Sequence, residues 1–406
     1  MPQYDLVLKN GHVIDPANQI DAPMDLAVSG DSIALVAPDI PSAHAAQTVD
    51  VAGLVVTPGL IDMHVHVYHT REPETLSIIA DHHSFRSGVT TMVDTGTAGA
   101  KHFLHFKRTV IDRWKTRIFA YINIVKSGMI GSFEQDISEM DPQLAASIVL
   151  AYPEDCVGIK TAHYWVSEPF DEAHPPWAAV DRALEASDIC KKPLMVDFWH
   201  REGRTYQELL QKMQPGDIHT HVYAQQFPIL NADNQPADFM FEARERGIIF
   251  DLGHGAGSFW FRQAIPAYEG GFGPDSISTD LHIGNVNGVV HDMLNTMSKL
   301  LCMGMPLNEV IYRSTVTPAR EIGHAELGTL SIGAEADIAV LRQERGEFGY
   351  VDCGQARMIG DRKLGCEMTI RAGEIVYDIN GRSAPDWQDA PPSYWQIRYP
   401  KGSIDP

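Results

Sequence analysis

Two histidines of the stretch "LIDMHVHVYHT" (60–70), His64 and His66, stand i, i+2 at the end of an apolar run. On an extended strand such a pair faces one way, roughly 7 Å apart along the backbone. It can close on one metal ion, or it can pack. Comparable groups recur where other apolar runs end: Lys160 in "VGIKTA", Asp197 in "PLMVDF", His221 in "DIHTHVY" and Asp280 in "SISTDLH". Neutral imidazoles and carboxylates suit Zn²⁺, which takes four or five ligands and leaves a position for water. Water on such an ion drops toward a pKa of roughly 7 and becomes a hydroxide nucleophile. An aspartate beside it can take the proton and deliver it to a leaving group. Lys160 is the odd member, because an ammonium is repelled by divalent ions and fits only if neutralised or converted to an anion. Singly, Lys160 reads as an outward-reaching lysine, His221 as a core histidine beside His219, and Asp280 as a helix cap. Six such groups at strand ends read as one site.

The elements that must position them are an alternation of strands and helices. Eight candidate strands, "LIDMHVHV", "TTMVDTG", "RIFAYINIV", "VGIKTA", "PLMVDF", "DIHTHVY", "IIFDLGH" and "SISTDLH", lie within 56–325 with amphipathic stretches between most of them. That rhythm predicts an α/β fold, a (β/α)8 TIM barrel whose active site sits at the C-terminal ends of its strands. A doubly wound sheet would alternate too, but no Gly-x-Gly-x-x-Gly follows any strand. Both chain ends are β-like. "YDLVLKNGHVID" carries an Asn-Gly hairpin signal, and "DLAVSGDSIALVA" repeats the texture. "ADIAVLRQ" and "EMTIRAGEIVYDING" return to it. A small β-sandwich domain built from both termini (1–55 plus 326–382) is therefore expected around the barrel (56–325). The Pro- and aromatic-rich tail (383–406) is expected to be irregular.

Composition narrows the partners. A formal charge of −21 over 406 residues argues against nucleic acid and against an anionic membrane. The N-terminus lacks a secretory pattern, and no apolar run reaches the roughly 20 residues needed to span a bilayer. Five scattered cysteines without a Cys-x-x-Cys read as reduced thiols in a cytoplasmic protein. A small-molecule substrate is the expected partner.

"PGLIDMHVH", the lysine ending strand 4, the histidine of "THV", the "STDLH" aspartate and the later "GTLSIGAEADIAVL" together resemble the amidohydrolase superfamily. "DLGHGAGSF" and "PDSISTDLH" resemble more narrowly its amidohydrolase/deacetylase subgroup, related to dihydroorotases. The resemblance runs from about residue 5 to 380. It implies a zinc-dependent enzyme in which carboxylated Lys160 bridges two Zn²⁺ ions about 3.5–4 Å apart, with Asp280 as general acid/base and His64, His66, Asp197, His221 and Asp280 as the other ligands. It also implies a homo-oligomer. One departure stands out: the family pattern has a histidine ending strand 5, where this chain has Asp197, with His200 three residues on. Strand alternation puts Asp197 and Trp199 on one face, which favours Asp197 over His200. The exchange adds a negative charge and is expected to weaken the metal pair's Lewis acidity.

His163, His254, His200 and His282 lie just beyond strand ends, where a substrate would contact them; as loop histidines bonded to backbone they would do nothing of the kind. Met293, Met297 and Leu300 or Leu301 stand at helical spacing and read as core. The expected reaction is hydrolysis of an amide or ester, deacylating a small N- or O-acyl organic acid through metal-bound hydroxide. Hydrolysis of a cyclic amide, as by dihydroorotases and hydantoinases, is the alternative. A catalytically silent barrel that only binds a partner is disfavoured by the retained lysine and strand-8 aspartate. Whether Arg201, Arg204 or Arg262 grips a substrate carboxylate is left open.

Overall fold

The computed structural model describes residues 2–69, 76–129 and 135–391. Its centre is a seven-stranded parallel sheet in chain order: Leu60–Val65, Val89–Gly99, Arg117–Asn123, Cys156–Thr161, Leu194–Val196, Ile218–His219 and Ile249–Phe250. The first four strands are buried almost throughout, which is why they read as near-continuous apolar runs rather than alternating ones. The eighth expected strand, 276–282, forms no regular ladder. It bridges both sheet edges instead, Ser276 to Asp251 and Leu281 to Val65, each in parallel sense. Its own side chains explain the irregularity. Thr279 donates its amide (3.0 Å) and hydroxyl (2.5 Å) to the Asp62 carboxylate on the first strand. Asp280 then turns into the left-handed region at φ 49°.

The two chain ends meet in one eight-stranded sheet. Its path runs Glu374–Asp378, Arg357–Arg371, Ile338–Val351, Val55–Pro58, Tyr4–Asp15, Ile20–Ser29, Ser32–Ala37, with Ala45–Asp50 pairing Tyr4–Asp15 on the side. Pairing links all eight strands, so both chain ends contribute to one hydrogen-bonded sheet. The Asn10-Gly11 signal resolves differently. Tyr4–Asp15 is a single strand, and Asn10 (φ 64°) forms a bulge in its pairing with Ile20–Ser29. Asp25 captures the Asn10 amide at 2.8 Å, which lets the strand continue through the kink. The Ser29–Ser32 hairpin is present as expected, with Gly30 at φ 60°.

Arg117 on the third parallel strand joins the two sheets through Asp337 (2.7 Å) and Glu335 (2.5 Å). The helix Met293–Cys302, capped by Asp292, buries Met293, Met297, Leu300 and Leu301, as their spacing predicts. Of the tail, 392–406 lies outside the described residues. Among the described residues, no helix is long and apolar enough to cross a membrane.

Candidate metal centre

Where the parallel strands end, a cavity of about 490 Å³ opens. His64, His66, Lys160, Asp197, His221 and Asp280 all line it. The six groups singled out in the sequence are therefore brought together. His64, His66 and Asp280 offer ligand atoms within 4.8 Å of one another. His66 Nε2 stands 3.1 Å, and His64 Nε2 3.6 Å, from Asp280 Oδ1. His221 Nε2 stands 3.6 Å from Asp197 Oδ2.

Each histidine is tied back through its other nitrogen. His221 Nδ1 lies 2.6 Å from the Gly253 carbonyl, which can only accept, so Nδ1 carries the proton and Nε2 presents a lone pair to the cavity. The Thr220 hydroxyl donates to Asp251 (2.8 Å) and thereby accepts from His64 Nδ1 (2.8 Å), with the same consequence for His64. Thr97 Oγ1 holds His66 Nδ1 at 2.7 Å. This is the backing that fixes metal-binding imidazoles in tautomer and orientation. Burial, and after it Lys160, drives His64 well below the ordinary histidine value, so the ring stays neutral. Burial pulls His66 down too, but the Asp280 carboxylate overcomes it and holds the ring above its usual value. The same contact keeps Asp280 below the ordinary carboxylate range against the opposing pull of burial.

Lys160 is buried and its Nζ has no hydrogen-bond partner among the described residues. Burial pushes its ammonium below the usual lysine value, against the attraction of Asp197 and Asp280. An orphaned amine is a costly thing to bury, and it fits a nitrogen that carries a carboxyl group shared with metal. Room for the chain is made by Gly96 (φ 83°), where a Cβ would stand 2.8 Å from Lys160 Cγ. Donor set, tautomers and the orphaned amine all fit a divalent metal.

The outlying candidates divide. His163 and His282 line the cavity. His254 does not: it is stacked on Phe259 with Nε2 2.7 Å from Lys299 Nζ, which also bonds the Val289 and Val351 carbonyls. His200 does not either, because its Nδ1 accepts the Tyr206 amide at 3.1 Å. Arg201 and Arg204 are spent on backbone carbonyls, Arg201 on Trp165 and Glu168 and Arg204 on Tyr164 and Trp199, while Arg262 is exposed and off the wall. Sequence reasoning missed Thr97, Thr220, Asp62 and Gly96. Thr220 was findable, because a threonine between two strand-end histidines is placed to bond a neighbour's ring.

A scan against protein-family models finds none that matches. A curated relative, a deacetylase of Enterococcus faecalis, is 32% identical over 383 residues, 92% of this chain and 99% of its own. Among solved structures, an adenine deaminase superposes with a TM-score of 0.83 at 30% identity, over 92% of this chain and all of its own. A dihydroorotase gives 0.79 at 27% identity, over 92% and 99%. The chain belongs to the amidohydrolase superfamily. It is a hydrolytic enzyme, and its His64, His66 and Asp280 form a group that could hold a metal ion.

Proposed function

We propose that this enzyme removes the acyl group from a small N- or O-acyl organic acid, with zinc held at the strand ends. His64, His66 and Asp280 would hold one ion, His221 and Asp197 would help hold a second, and Lys160, once carboxylated by CO₂, would supply an anionic ligand in place of its repelled ammonium. The observation that carries the reading is the convergence of His64, His66 and Asp280 beside imidazoles whose Nδ1 atoms are already engaged. When bound, such ions polarise a carbonyl and make water acidic enough to attack it near neutral pH. Asp280 accepts the proton of that water and returns it to the leaving amine or alkoxide. Its backbone is fixed for the task by a 2.6 Å bond from its amide to the His64 carbonyl. Trp199, Met129 and Leu76 give the cavity apolar wall for an acyl chain.

Deacylation is preferred because the relative aligned along nearly its whole length is named a deacetylase. The cyclic-amide reading draws on the dihydroorotase neighbour. The proposal includes a catalytic barrel spanning 56–325, a cytoplasmic location, which five free thiols support, and assembly into a homo-oligomer.

The test is metal analysis of protein expressed with zinc and bicarbonate, followed by a panel of N-acetyl acids, O-acetyl acids and cyclic amides. Close to two ions per chain, falling in Lys160→Ala, with turnover of the acetyl compounds, is expected. Turnover confined to cyclic amides would replace the substrate class, and metal-free protein would end the hydrolytic mechanism as drawn.

A further inference from the structure

The strand-5 aspartate has a second partner. His163 Nδ1 lies 2.7 Å from Asp197 Oδ2. The carboxylate is 9% exposed and the imidazole 51% exposed, and both line the cavity. An ionised carboxylate only accepts, so Nδ1 is the donating nitrogen of His163. The bond orients the His163 imidazole, as carboxylates orient histidines in other catalytic sites. An imidazole at position 197 could not offer an anionic acceptor, so this pairing gives the aspartate a task that the expected histidine would not perform as well.

We propose that His163 is a catalytic residue that hydrogen-bonds a polar group of the acyl substrate, and that Asp197 is its positioning residue. The proposal rests on the hydrolase reading above and assigns the specificity of the same site.

Full-length, zinc-loaded His163→Ala and His163→Asn test it. Asparagine can donate an amide N–H to Asp197 as Nδ1 does, but it presents no ring edge to the cavity. Both variants are expected to keep the wild-type metal content and to lose about 10–100-fold in kcat/KM for N-acetyl amino acids, mostly through KM. The wild type is expected to show a downfield imidazole N–H proton resonance that both variants and Asp197→Asn lack. Wild-type kinetics in His163→Asn would overturn the proposal, leaving His163 only to brace Asp197. So would metal loss in His163→Ala, which would make the histidine part of the metal centre.

If the wild type itself turns over no acetylated probe, the deacylation reading fails. Acetohydroxamate binding by calorimetry then decides the pair independently: weaker binding in both variants supports it, and unchanged affinity overturns it.

Discussion

Two His-x-His sequences stand at the ends of parallel strands, and they end up differently. His64 and His66 both reach the cavity, with ring centroids 5.9 Å apart. Of His219 and His221 only the second does. His219 packs among Tyr206, Phe227 and Phe250, with no hydrogen-bond partner on either ring nitrogen among the described residues. The difference lies in the backbone. The first strand runs to Val65, so the i, i+2 alternation still operates across its pair. The sixth strand ends at His219, and His221 sits at φ 64°, which breaks the alternation and swings its ring to the rim. Spacing identifies a candidate pair; where the strand stops decides how many of its members serve.

The comparison breaks most visibly under truncation. His64→Ala should abolish metal binding, because His221 and Asp197 form no such three-residue group of their own among the described residues, and lower kcat/KM by about 10³-fold or more, since the ion supplies several kcal/mol of transition-state stabilisation. His221→Ala should leave about one ion per chain, because the His64, His66 and Asp280 group survives. Elemental analysis beside steady-state kinetics separates the cases. Equal loss from both variants would show that the two histidine pairs feed one indivisible site.

These residues were legible in different degrees. His64, His66, Lys160, His221 and Asp280 could be read because each is a chemically unusual type at the end of an apolar run, and those strand ends face the cavity. Asp197 was legible as a departure, but its bond to His163 was not, because the two lie 34 residues apart on neighbouring strand ends. His254 misled: its place after a strand matched a substrate contact, and only packing shows it bound to Lys299 from the far side of the wall. Asn10-Gly11 misled in the same way, since a local turn preference was overridden when Asp25, fifteen residues away, captured the amide. Strand order and rhythm are written in short-range pattern. Ring orientation, bulges and buried bonds are written in contacts across the fold.

A smaller effect sharpens the contrast. Thr220→Val removes the hydroxyl that passes His64 Nδ1 on to Asp251 while nearly preserving volume. Metal affinity is expected to fall about 10–100-fold, the usual cost of losing such a backing group. Competition with a chelator measures it. An unchanged affinity would mean that packing alone holds the His64 ring.

The smallest effect is expected at His219, and it is the most diagnostic of the comparison. Its two nitrogens are buried without protein partners among the described residues, so the imidazole is charged a desolvation penalty that an apolar ring would avoid. Burial holds it down to a pKa of about 3, which keeps it neutral and unable to recover that loss as a cation at neutral pH. His219→Phe replaces it with a ring of similar shape among three aromatic neighbours, where edge-to-face contacts can persist. The extra carbon volume costs something in a packed core, and removal of two unsatisfied nitrogens offsets it, so stability should stay within about 1 kcal/mol of wild type. Metal content and kcat/KM should stay within about twofold, because the ring faces away from the cavity. Urea denaturation and metal analysis of the same sample provide the check. A loss of metal comparable to that of His221→Ala would show that the second His-x-His acts as a pair after all, and that the strand end does not separate its members.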